Sequence, residues 1–103
     1  MTANYAWIVD RDHLAEEFGD EPDTGITGPH DAPDDLLDRL KSDANAGYTF
    51  RLFDDDRKHY YTGRLITTGD PLDVCMAPLD DFGTGWAGCT DVQYPGRPDM
   101  NGP

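Results

Sequence analysis

The chain has 103 residues, which is room for one domain and one core. Its 21 acidic residues outnumber 8 basic ones, giving a formal net charge of −13 at pH 7. That balance excludes direct binding to nucleic acid and to anionic membranes, since both need a basic footprint. It leaves a basic protein surface as the fitting partner, because opposite fields steer encounter.

Residues 1–10 lack the basic start and apolar run of a secretion signal, and no stretch has the length of a transmembrane helix. The expectation is a cytoplasmic protein whose only cysteines, Cys75 and Cys89, are reduced thiols.

In chain order, the apolar run Tyr5-Ala-Trp-Ile-Val9 is rich in β-formers and predicts a central strand ending at Asp10. His13 to Phe18 has Leu14 and Phe18 four apart and predicts a short helical turn that stops at Gly19. Residues 20–33, with three prolines and two glycines, read as loop. From Pro33 to Ala44 the apolar positions Leu36, Leu37, Leu40 and Ala44 share one helical face. Pro33 suits the first turn, Asp34 and Asp35 the positive end of the dipole, and Arg39 and Lys41 the negative end.

After Gly47 the period changes from helical to alternating. Tyr48–Asp54 and His59–Thr67 predict a hairpin joined by the charged turn 55–58, with Tyr48, Phe50 and Leu52 on one face. Gly63, inside the second strand, marks a bulge or a close backbone approach. Residues 69–88 read as irregular, 89–94 as a last strand, and the segment from Pro95 as a flexible tail. The sum is an α+β domain over residues 1–94: a small, mainly antiparallel sheet of about four strands with one principal helix packed on one face.

No catalytic, cofactor or metal signature accompanies this pattern. Asp10-x-Asp12 and the run Asp54–Asp56 lack the glycine and terminal glutamate of a calcium loop. There is no C-x-x-C, and His13, His30 and His59 have no helical pairing, so the zinc signature is missing. Paired carboxylates carry no information in a chain this rich in Asp. The glycine-rich stretch 83–88 has no lysine and follows two aspartates that repel phosphate.

Two features point to a partner. Residues 10–38 hold eleven acids and one base, Arg11, and the predicted helix presents Asp34, Asp35 and Asp38. The stretch 78–88 sets Phe82 and Trp86 beside Asp80 and Asp81, where loop aromatics make interface anchors. Against each stands a plainer reading: solvated carboxylates on one side, an aromatic lid over a small core on the other.

Tyr5-Ala-Trp-Ile8, Thr27-Gly-Pro29, Phe50-Arg-Leu-Phe-Asp-Asp-Asp56, Tyr60-Tyr-Thr-Gly-Arg64, Pro78-Leu-Asp-Asp-Phe-Gly83 and Ala87-Gly-Cys-Thr90 together resemble a group of small acidic proteins of actinobacterial phages and their hosts. The likeness covers most of residues 5–94 and carries no catalytic residue. Two departures stand out: Arg57 where a glycine would tighten the hairpin turn, and Gly85-Trp86 where the group has a more polar loop. What the resemblance implies is an accessory protein of a phage or its host rather than a metabolic enzyme. The expectation is therefore a non-enzymatic, cofactor-free binding protein with a basic protein partner. The alternatives are a DNA-mimicking inhibitor of a nucleic-acid-binding defence protein, and an enzyme or metal-binding protein of an unrecognised kind.

Overall fold

The structure, a computed structural model, describes residues 3–101, with the side chains of residues 84–87 outside that description. The fold is α+β. Five strands, β1 (Tyr5–Asp12), β2 (Thr27–Gly28), β3 (Tyr48–Phe53), β4 (His59–Thr67) and β5 (Asp91–Gln93), form one antiparallel sheet in the order β2-β1-β4-β3-β5. Three short helices accompany it: α1 (His13–Phe18), α2 (Asp34–Ser42) and α3 (Pro71–Val74). The predicted first strand, principal helix and hairpin are all present; the fifth strand is the two-residue edge β2, too short to give a sequence signal.

The apolar run in β1 is continuous because both of its faces are covered. Ala6 and Ile8 join Ile66 of β4 beneath Leu36 and Leu40 of α2. Trp7 and Val9 face the other way, into a larger cluster with Phe50, Leu52, Tyr61 and Leu65. Leu36 and Leu40 are buried, while Leu37 packs at the margin, so burial of α2 rests mainly on two leucines at about 1.5–3 kcal/mol each.

The larger core corrects two expectations about the last third of the chain. Residues 69–88 are not irregular. Asp70 caps α3 by accepting the N–H of Leu72, Pro71 opens the helix, and a π-helical stretch runs from Leu79 to Ala87. Residues 95–101 are not a loose tail either: Pro98–Met100 forms a 3₁₀ turn, the Tyr94 N–H donates to Asn101 Oδ1, and Met100 is fully buried. Leu79, Phe82, Tyr94 and Met100 cover the sheet face opposite α2. Turn-forming residues set local conformation, but burial of the apolar residues between them decides where such a segment lies.

Two backbone details set the geometry of β1 and β4. Val9 pairs with Gly63 and Arg11 with Thr62, so Asp10 is an extra residue, a β-bulge. At Gly63 an added Cβ would lie 2.2 Å from the Ile8 carbonyl oxygen and 2.5 Å from the Phe50 ring, which is the close approach that its place in the strand implied. The β3–β4 turn passes through Arg57 at φ 63°, a left-handed conformation that glycine favours.

Candidate functional site

The acids of residues 10–38 divide into those that build the fold and those that face water. Asp10, on the bulge, accepts from Arg64 Nε at 2.8 Å and Arg64 Nη2 at 3.0 Å. Asp12 is buried: one oxygen caps α1 through the Ala15 N–H, and the other accepts the Asp23 N–H. Glu16 pairs with Arg11, and Glu17 with Lys58, whose ammonium also lies 5.0 Å from the centre of the exposed Phe18 ring. Asp34, Asp35 and Asp38 are exposed along α2, and none of them forms an ion pair among the described residues. At the β3–β4 turn the carboxylates of Asp54, Asp55 and Asp56 come within 4.8 Å of one another. Asp54 Oδ1 there accepts the N–H groups of Asp56 and Lys58, and those bonds hold its carboxyl below the usual carboxylate range. The turn accounts for the cluster.

The expected aromatic anchor is placed differently. Phe82 is only 3% exposed and packs against the rings of Trp7 and Tyr61, with centroids 5.5 and 5.0 Å away. It is a lid on the core, not a protruding anchor, because Gly83 lets the chain approach Leu52 and Cys89 closely enough to seat it. The side chain of Trp86 lies outside the described residues. Asp80 and Asp81 are exposed, and neither lies on α2 with Asp34, Asp35 and Asp38.

Asp81 belongs to a constellation that the sequence did not reveal. Its Oδ2 accepts from the Tyr5 hydroxyl at 2.8 Å and from the Trp7 indole N–H at 3.0 Å. Burial, the bond to Asp81 and the carboxylates of Asp81, Asp31 and Asp80 all push the Tyr5 hydroxyl upward, so Tyr5 stays a donor. Beside this trio runs a groove of about 410 Å³ whose lining includes Trp7, Ile26, Gly28, Pro29, Asp81 and Phe82. Gly28 lets the Trp7 ring pack against the backbone at this groove, since a Cβ there would lie 2.3 Å from that ring. No spacing rule joins Tyr5 and Trp7 to a carboxylate more than seventy residues away.

A second missed cluster joins α1 to β4. The rings of His13 and His59 lie 4.0 Å apart, and Thr62 Oγ1 sits 2.8 Å from His13 Nε2 and 3.0 Å from His59 Nε2. His59 Nε2 also lies 3.0 Å from the Tyr61 carbonyl, which only accepts, so that nitrogen carries the proton. Thr62 Oγ1 then accepts from His59 Nε2 and shares a further hydrogen bond with His13 Nε2, while His13 Nδ1 lies 3.6 Å from the Glu16 carboxylate. Burial first, then Arg11, lowers the pKa of His13; burial first, then His13 itself, lowers that of His59. The hydroxyl is held between two rings, and the groove beside Trp7 does not reach it. The cluster reads as a polar joint that favours two neutral histidines.

The cysteines are not bridged to each other. Cys89 is fully buried, and burial pushes its thiol up to about 12, far from the thiolate a nucleophile needs. Among the described residues no helix is long and apolar enough to cross a membrane. No family model matches the chain, and neither a curated protein nor a solved structure matches it.

Proposed function

We propose that this protein is a non-enzymatic binding protein whose acidic surface docks a basic protein. The observation that supports this reading most is the exposed aspartate row of α2. Asp34, Asp35 and Asp38 are solvent-facing and outside any described ion pair, on a chain with a net charge of −13. Leu36 and Leu40, with Leu37 at the margin, pack that helix on the sheet, and the three aspartates take no part in that cluster. Fixed like charges on one face raise the local field and steer an oppositely charged partner. The reading also accords with the resemblance to small acidic phage-associated accessory proteins.

Affinity capture on immobilised wild type and on the Asp34→Asn/Asp35→Asn/Asp38→Asn variant tests it. A basic protein held by the wild type at about 0.1 M salt should elute as salt approaches about 1 M, where the Debye length falls to about 3 Å. The triple variant should retain much less of it while keeping a wild-type far-UV spectrum. A captured partner indifferent to both salt and the triple change would sink the acidic-face reading.

A further inference from the structure

We propose that the groove between Trp7, Gly28 and Phe82 takes one long cationic side chain, an arginine or lysine of the basic partner, with its charged head on Asp81. This rests on the reading of a basic partner given above and names the point at which that partner would be anchored. Three features of the groove fit such an occupant and argue against an anionic one.

The walls are apolar where the stem of the side chain would lie. Trp7, Ile26, Pro29 and Phe82 supply carbon surface, and the missing Cβ at Gly28 lets the Trp7 ring lie directly on the backbone there. Arginine and lysine bury their methylenes against such surface while the head reaches a polar group.

The polar group is held in place. Asp81 is fixed by Tyr5 and Trp7, and both bonds fall on Oδ2. Among the described residues no donor reaches Oδ1, and a carboxylate accepts at both oxygens. A charged donor arriving at Oδ1 meets a positioned acceptor, the arrangement in which charge-assisted hydrogen bonds are strongest.

The surrounding charge has one sign. Asp80 and Asp31 lie near enough to act on Tyr5 together with Asp81, and among the described residues no arginine or lysine lines the groove. The lining includes one exposed histidine, His30, at the rim.

The test follows the Trp7 indole N–H by two-dimensional NMR, assigned with a Trp86→Phe variant that leaves Trp7 the sole indole. N-acetyl-argininamide and N-acetyl-lysinamide are titrated, with N-acetyl-citrullinamide as the uncharged shape match of the first. A saturable shift is expected for both cationic probes, with an affinity about tenfold above that of citrulline. Nuclear Overhauser contacts are expected from the probe methylenes to the Trp7 and Phe82 rings. Asp81→Asn keeps an oxygen for Tyr5 and Trp7 but removes the charge, so it should abolish the preference for cations. Asp34→Asn makes the same charge change on α2 and should leave that preference intact.

Equal binding of citrulline, the absence of a saturable shift, or the absence of contacts to Trp7 and Phe82 overturns the proposal. The Overhauser contacts are read on the Asp81-containing protein, so they decide the matter even if Asp81→Asn does not fold. If Asp34→Asn weakens cation binding as much as Asp81→Asn, the groove is not the site, and only the general acidic field remains. The salt dependence of partner capture is a separate result, so the groove and the acidic-face reading can fail independently.

Discussion

Arg64 and Asp10 face each other across neighbouring strands and share two hydrogen bonds, from Nε at 2.8 Å and from Nη2 at 3.0 Å. The same guanidinium donates to the carbonyl oxygens of Leu40 and Asp43 at the end of α2. One side chain therefore fixes the β1 bulge, satisfies the last turn of the principal helix and places a positive charge at the negative end of its dipole. Its own head is satisfied in return, which is what lets an arginine with an 11% exposed side chain persist beneath the helix.

Replacing Arg64 with methionine should therefore cost about 3 kcal/mol, the lower part of the range for a broken buried pair, because Asp10 keeps partial access to water. Urea unfolding of the variant would show it as a lower midpoint. A loss under about 0.5 kcal/mol would mean that the helix end is held by something else.

Leu40→Ala should cost about 2–5 kcal/mol. Leu40 is fully buried in the smaller cluster, together with Leu36, Ala46, Ala6, Ile8 and Ile66. Leu37→Ala, at the margin of that cluster, should cost distinctly less. Equal losses at the two positions in chemical denaturation would show that the helix face is wrongly placed.

Met100→Ala should destabilise by about 2–5 kcal/mol although it lies three residues from the end of the chain as given. The cause is a core site filled from the 3₁₀ turn Pro98–Met100. A thermal midpoint unchanged from wild type would place this segment off the core.

Stability should fall on mild acidification. His13 and His59 are both held below the ordinary histidine value in the folded state, by burial foremost. The unfolded chain then binds more protons as pH drops through about 6.5, so the contribution is whole above that value and shrinks towards the lowered folded values. Arg11 and Arg51 reinforce the effect on both rings, while Glu16 and Asp12 oppose it at His13. Urea midpoints at about pH 7.5 and about pH 5.5 lie on either side of the unfolded histidine value without titrating ordinary carboxylates. The His13→Gln/His59→Gln variant should show a flatter profile; a wild-type midpoint that does not move would refute the coupling.

Much of the fold was legible in local pattern. The helical face Leu36–Leu40, the alternation of Tyr48–Leu52 and the punctuation at Gly47 each follow from spacing within a few residues. So does the close approach at Gly63, whose reason is the Ile8 carbonyl and the Phe50 ring. The candidate site was much less legible. Asp34, Asp35 and Asp38 are exposed as the helical pattern implied, but Phe82 turned inward, since a ring beside Gly83 gains more from covering Trp7 and Tyr61 than from facing water.

The sequence by itself determined the acidity, the strand–helix–hairpin order and the inward set Leu36, Leu40, Phe50 and Leu52, because charge and periodicity act over a few positions; Ala44, placed on the same helical face, lies past the end of α2 and is exposed. Only the tertiary structure decided that residues 69–101 close the second face of the sheet. It alone decided, too, that Asp10 would meet Arg64, that two histidines would share Thr62, and that Asp81 would stand between Tyr5 and Trp7 at the mouth of a groove. Those contacts join positions far apart in the chain, and the physical reason is common to all. Glycines, prolines and aspartates fix local turns, but where a turn-rich segment comes to rest is set by the apolar surface it covers and the polar groups it must satisfy there.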